Sequence, residues 1–271
     1  VFASDLGGAG LDISSVVSTD GWFHGHLHIS RYSRHLAGHD HRRNACVIYG
    51  GVSSDRFHPD ESVARDGSVL YVGRLLPHKG VDVLVRALPQ GMRLILVGQE
   101  ADPDYLAWLQ ANAAGKTVEF VRDADDDALL GYYQRALCIV LPSVHRTVYG
   151  REVRAPELLG QTLLEGMACH APGVCSDAAA LPEIVRDGQT GFIVPWGDVA
   201  ALHDRLSWLR DHPDAARRMG AAAGADVRRR FGWPEAVDRC LQMYTTGRIV
   251  AEDPREAAEA GPPLPLPRGM E

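Results

Sequence analysis

No stretch of these 271 residues reaches the ~18 consecutive apolar positions that a membrane-spanning helix needs. The opening residues lack the charged-then-apolar pattern of a secretory leader. Cysteine is scarce: Cys46, Cys138, Cys169, Cys175 and Cys240 are scattered, odd in number and without metal-ligand spacing. That argues against a disulfide framework and points to reduced thiols in a cytoplasmic protein. Positive charge is also short, with 28 Lys and Arg against 35 Asp and Glu and a net charge of −7. Such a balance gives no general basic surface for nucleic acid. Finally, no G-x-G-x-x-G follows any apolar strand-like run, and no acid sits at the ribose position some ~20 residues later. A dinucleotide-dependent oxidoreductase is excluded on those grounds.

What is present is a core and a rhythm. Hydrophobic residues make up 45% of the chain, ordinary for a globular protein. The runs Val47–Tyr49, Val69–Val72, Arg93–Val97, Val118–Val121, Leu137–Leu141, Gly173–Cys175 and Phe192–Val194 predict strands. They are near-continuous apolar runs, as in a parallel sheet covered on both faces. Helical patterns fall between them over Val81–Leu88, Asp104–Ala113, Asp125–Ala136, Pro156–Cys169 and Leu181–Val185. The alternation predicts an α/β fold with a doubly wound parallel sheet. Three more helices are expected over Val199–Arg210, Pro213–Arg230 and Pro234–Tyr244. Five prolines between Pro254 and Pro267, mixed with Glu and Ala, predict a solvated, disordered tail.

The richest stretch is Pro156-Glu157-Leu158-Leu159-Gly160-Gln161-Thr162-Leu163-Leu164-Glu165-Gly166-Met167. Proline suits a helix start, and Leu159, Leu163 and Met167 keep helical spacing. On one helix, Glu157 and Glu165 would stand about 12 Å apart along the axis. That is near the distance from sugar to ribose in a nucleotide-sugar. First-turn N–H groups have no acceptor within a helix, so they would face a diphosphate between the two carboxylates.

This run resembles the E-x7-E element of family 4 retaining glycosyltransferases, which have the GT-B fold. The likeness extends in order from about Ser30 to Tyr244. Tyr71-Val72-Gly73-Arg74-Leu75-Leu76-Pro77-His78-Lys79-Gly80 resembles the family's glycine-arginine-lysine element. Ile48 to Pro59 looks like its lead into the nucleotide domain. Ser176 to Val185, with Gly188 and Gly191 to Pro195, matches the downstream block. The resemblance implies a Rossmann-like nucleotide-sugar domain over 46–232 and a crossover helix over 233–246. It also implies that 1–45 is the end of an N-terminal acceptor domain that is otherwise missing, with the tail at 247–271.

By that resemblance the chain transfers a hexose-type sugar, with retention, from a UDP-, GDP- or ADP-sugar to a hydroxyl acceptor. A binding half without catalysis of its own is the alternative. Glu165 would accept hydrogen bonds from the ribose hydroxyls, and Glu157 would hold the sugar and offset charge at its anomeric carbon. Arg74 and Lys79 would contact the diphosphate beside Gly73, along with the backbone at Leu159, Gly160, Gln161 and Thr162. No metal or other cofactor is implied. Expected partners are the donor, the acceptor and an N-terminal-domain partner. A lipid acceptor would bring peripheral membrane association.

Some positions stay open or depart from the family. Arg122, where the family has glycine, either stacks on the base or is simply exposed. His145 to Arg154 forms a basic loop that either binds an acidic acceptor or is solvated. His170 replaces a family glycine, and Ala179-Ala180 replaces a glycine pair, which predicts a displaced loop or poorer donor fit. Half of the 12 histidines, His24, His26, His28, His35, His39 and His41, fall in the first 41 residues. On a strand the first three share a face, either as a zinc patch or as ordinary polar residues.

Overall fold

The computed structural model describes residues 25–42 and 44–246. The expected disordered tail and His24 lie outside the described residues. The described chain divides into two units, one over residues 25–48 and 238–246, the other over Tyr49–Val237.

The smaller unit pairs two parallel strands, β1 (His26–His28) and β2 (Ala45–Val47), with His26 opposite Ala45 and His28 opposite Val47. Between them runs helix α1 (Arg31–Leu36), closed by a reciprocal capping box between Ser30 and Ser33. The strand predicted over Val47–Tyr49 thus lies two residues earlier. Histidines do gather here, but the third member is His39. Its ring packs 4.4 Å from that of His26 and its Nδ1 lies 3.0 Å from His28 Nε2. His35 instead pairs with Asp40 at 2.5 Å, and His41 is exposed. Among the described residues no group of three such side chains is placed to hold a metal ion.

The larger unit is built on six parallel strands. They are β3 (Val69–Val72), β4 (Arg93–Val97), β5 (Thr117–Val121), β6 (Cys138–Leu141), β7 (Gly173–Ser176) and β8 (Gly191–Val194). Their order is β5-β4-β3-β6-β7-β8, all parallel. Val69, Leu70, Tyr71, Leu94, Ile139 and Val140 are completely buried, as expected for strands covered on both faces. Helices α2 (Val81–Ala87), α3 (Pro103–Asn112), α4 (Asp126–Arg135) and α5 (Gln161–Ala168) form the crossovers. Helices α6 (Val199–Asp211), α7 (Pro213–Arg230) and α8 (Trp233–Thr246) follow. The strand order reverses direction between β3 and β6. In open α/β sheets a ligand crevice forms at such a switch point, beyond the carboxyl ends of the strands.

Two expected helices differ. The helix predicted over Pro156–Cys169 begins only at Gln161. Gly160 precedes it at φ +98°, in the left-handed region, and a right-handed helix cannot run through that conformation. A Cβ there would stand 2.8 Å from Leu181 Cδ2, so side-chain packing as well as φ favours glycine. Glu157 therefore lies on an irregular segment, and the two glutamates do not share one helix axis. The predicted helix at Leu181–Val185 is reduced to a single 3-10 turn, Leu181–Glu183.

Of the three positions that replace glycine, His170 at φ +64° and Ala179 at φ +54° keep a glycine-like backbone, while Ala180 is right-handed. Such residues carry strain of about 1–3 kcal/mol that the surrounding packing must hold.

Candidate functional site

The carboxyl end of β3 leads through Gly73, whose N–H donates to Val97 O at 2.9 Å, into an exposed Arg74. The buried Tyr71 hydroxyl donates to the Arg74 carbonyl at 2.9 Å and fixes that turn. A 3-10 turn, Pro77–Lys79, then carries Lys79 to the start of α2. Gly80 makes the junction possible. It sits at φ +67°, and a Cβ on it would lie 2.0 Å from the Pro142 carbonyl oxygen at the end of β6. Gly80→Ala is expected to cost about 2–4 kcal/mol of stability, read from urea unfolding.

The carboxyl end of β6 leads into the long connection that returns as α5. Its first part is a pinned turn, with Arg146 bridged to Glu152 and the Thr147 N–H donating to Arg151 O at 2.9 Å. Tyr149 stands exposed on this turn, edge-on to Tyr105 with ring centroids 6.5 Å apart. Further on, Glu157 meets Lys79. The ammonium donates to Glu157 Oε2 at 2.7 Å and reaches the Pro156 carbonyl at 3.4 Å. Both side chains are largely enclosed, with 17% and 15% of their surface exposed. The buried Tyr71 hydroxyl stays protonated, pushed up by burial and then by the Glu157 charge. The two residues assigned to sugar and diphosphate are thus one ion pair at the switch point.

Helix α5 starts beside them. Gly160 is its N-cap and offers no side chain, so the helix opens uncapped. The Leu163 and Leu164 N–H groups donate to Gly160 O, whereas those of Gln161 and Thr162 precede any intrahelical acceptor. Gln161 is exposed at this end, its amide donating to Gly51 O at 3.1 Å. Leu159, by contrast, turns its side chain into the core and is only 4% exposed, so it can offer a ligand backbone alone.

One turn further, Glu165 accepts a 2.7 Å hydrogen bond from the Tyr133 hydroxyl on α4. Burial raises the Glu165 carboxyl above its ordinary range, and hydrogen bonds from Tyr133 and Gln161 oppose that shift. Tyr133 itself is fully buried and is edge-packed on Phe57, with ring centroids 5.8 Å apart. Neither Tyr71 nor Tyr133 had any signal in the sequence, because each acts through a contact that only the fold makes. Arg122 is not drawn in. Half exposed at the end of β5, it lies 3.5 Å from Glu100.

The field at this edge is positive. His78 is pushed down to about 4, first by burial and then by Lys79, Arg74 and Arg151. The unfolded chain binds that proton near the ordinary histidine value of 6.5, so folding stability is full above pH 6.5. It falls as the pH drops towards 4. A diphosphate bound here would supply negative charge. Nucleoside diphosphate should therefore raise the melting temperature more at pH 5 than at pH 8, and His78→Asn should remove the difference. Scanning fluorimetry at the two pH values checks this.

Comparisons with known proteins find similar sequences and similar folds. The family model "Glycosyl transferases group 1" matches residues 54–226. A phosphatidyl-myo-inositol mannosyltransferase of Mycobacterium leprae is 33% identical over 186 residues, covering 66% of this chain and 46% of its own. A D-inositol 3-phosphate glycosyltransferase of Streptomyces scabiei is 30% identical over 225 residues, covering 73% and 48%. The chain spans about half the length of these curated relatives. Among solved structures, Anabaena HepE in complex with UDP and glucose superposes with a TM-score of 0.75 at 21% identity, over 86% of this chain and 66% of that one. Sucrose-phosphate synthase of Thermosynechococcus elongatus gives 0.69 at 25% identity, over 82% and 57%. These neighbours share the GT-B glycosyltransferase fold.

Proposed function

The chain belongs to the group 1 glycosyl transferases, and from that premise we propose that it is the donor-binding part of a retaining hexosyltransferase. Its donor is a nucleotide-sugar and its acceptor a hydroxyl group. The observation that carries this reading is the enclosed Lys79–Glu157 pair at the switch point, beside the uncapped start of α5. The relatives' names and the neighbours solved with UDP and UDP-glucose support the donor class.

In this reading the diphosphate lies across Arg74, Lys79 and the Gln161 and Thr162 amides. Glu165 accepts from the ribose hydroxyls, with Tyr133 holding its second position. Glu157 faces the sugar. As the bond from anomeric carbon to phosphate oxygen breaks, Arg74, Lys79 and the helix end stabilise the charge on the leaving diphosphate. Glu157 offsets the positive charge on the sugar ring. The acceptor oxygen attacks the same face and its proton passes to the departing phosphate oxygen, which gives retention without a protein nucleophile. The cations and amides make a metal unnecessary for this step.

The experiment is a chromatographic assay of nucleotide-hexose cleavage by the complete protein, with the anomeric configuration of the product read by proton NMR. Retention supports the reading. An inverted product would overturn it.

A further inference from the structure

The wall behind the start of α5 comes from a second loop. After β7 the chain runs through Ala178, Ala179 and Ala180, all buried, into the 3-10 turn Leu181–Glu183. Leu181 and Ile184 are fully buried and close over Gly160, the N-cap of α5. A Cβ on Gly160 would stand 2.8 Å from Leu181 Cδ2 and 3.3 Å from Ile184 Cδ1. The shape of this loop therefore sets the left-handed turn at Gly160, and with it the direction of the Gln161 and Thr162 N–H groups.

The loop does not rest in an easy conformation. Ala179 holds φ +54°, which a residue with a Cβ adopts only when its surroundings impose it. Two ties hold the loop down. Arg230, the last residue of α7, donates to the Glu183 carbonyl at 2.5 Å and reaches the Ile184 carbonyl at 3.4 Å. The Tyr49 hydroxyl donates to Glu183 Oε2 at 2.9 Å. Arg230 is itself anchored, because it also donates to Asp226 Oδ2 at 2.8 Å, one turn back on the same helix. Only 12% of the arginine side chain and 7% of the aspartate side chain are exposed. A guanidinium suits this place: it stays charged and presents several donors in a fixed planar fork, so it can hold a carboxylate and two carbonyls together.

We propose that Arg230 is a positioning residue for donor binding: it clamps the strained Ala178–Ile184 loop, and the loop fixes the α5 amides on the diphosphate. This rests on the reading of the β3 and β6 edge as the donor site. Arg230 acts through the loop, with the Leu181 and Ile184 side chains against Gly160 as the link. Without the clamp, the strain at Ala179 is free to relax, and the wall behind Gly160 moves with it.

The test is calorimetric titration of the full chain with whichever of UDP, GDP and ADP it binds best, and with the matching nucleoside. Arg230→Met should weaken the diphosphate about tenfold and leave the nucleoside unchanged, because only the phosphate-facing amides lose their aim. The fold should survive, since Asp226 keeps Arg186 at 3.2 Å and Arg229 at 3.0 Å. Glycine takes a positive φ without strain, so Ala179→Gly alone should change little. Added to Arg230→Met, it should restore most of the lost affinity. A chain that had merely loosened would lose nucleoside and diphosphate together and would gain nothing from Ala179→Gly. Either of those results overturns the proposal, as does an Arg230→Met chain that binds the diphosphate like the natural one. A natural chain with no preference for diphosphate over nucleoside would instead sink the donor reading itself, and the clamp with it.

Discussion

Glu165→Ala is expected to abolish measurable nucleotide binding. The carboxylate accepts from Tyr133 at 2.7 Å and is held within a largely buried site. Two charge-assisted hydrogen bonds to ribose hydroxyls contribute about 1.5–3 kcal/mol each, so their loss weakens binding roughly 10²-fold to 10⁴-fold. Tyr133→Phe should cost less, about tenfold, because it removes only the group that orients the carboxylate. Calorimetry on both variants checks the ranking. Equal affinity for Glu165→Ala and the natural chain would remove this residue from the donor site. The folded state should survive Tyr133→Phe, since the ring's burial against Phe57 is kept.

The second large effect concerns the Lys79–Glu157 pair, and its sign is diagnostic. Lys79→Met removes a cation from the diphosphate and should weaken nucleoside diphosphate binding by about 1.5–3 kcal/mol. Glu157→Gln releases Lys79 from its carboxylate at 2.7 Å, so the same ligand should bind more tightly. Turnover should move the other way. With the charge opposite the anomeric carbon gone, cleavage of the nucleotide-sugar should fall roughly 10²-fold to 10³-fold. Tighter product-like binding with slower chemistry separates a residue that acts in the transition state from one that merely holds the loop. If Glu157→Gln weakened binding and slowed cleavage together, the pair would be structural.

Much of this architecture is legible from residues alone, because burial on both sheet faces writes itself as uninterrupted apolar runs. Val69–Val72 and Arg93–Val97 are strands over the expected residues, and helix α7 spans the expected Pro213–Arg230. The E-x7-E spacing is in the chain, yet its helical reading is wrong for the first glutamate. Pro156 and the leucine spacing imitate a helix start, while the left-handed Gly160 moves that start to Gln161. A glycine inside a plausible helix carries no mark of its φ. What the sequence hid most completely are long-range contacts. Lys79 and Glu157 are 78 residues apart, and Tyr133 and Glu165 are 32 apart. Only the strand order, with β3 beside β6, brings the first pair together. The replaced glycines show the converse. His170 and Ala179 adopt backbone angles that their residue types disfavour, which composition alone would not suggest.

The central claim is that the carboxyl edge of β3 and β6 cradles a diphosphate with protein cations and helix amides. Titration of the chain with UDP, GDP and ADP, each against its own nucleoside and all in EDTA, tests it most directly. One diphosphate should bind about 100-fold or more tightly than its nucleoside, since the charged hydrogen bonds to the phosphates supply that difference. A diphosphate that binds no better than its nucleoside, or only when a divalent metal is restored, would contradict the claim.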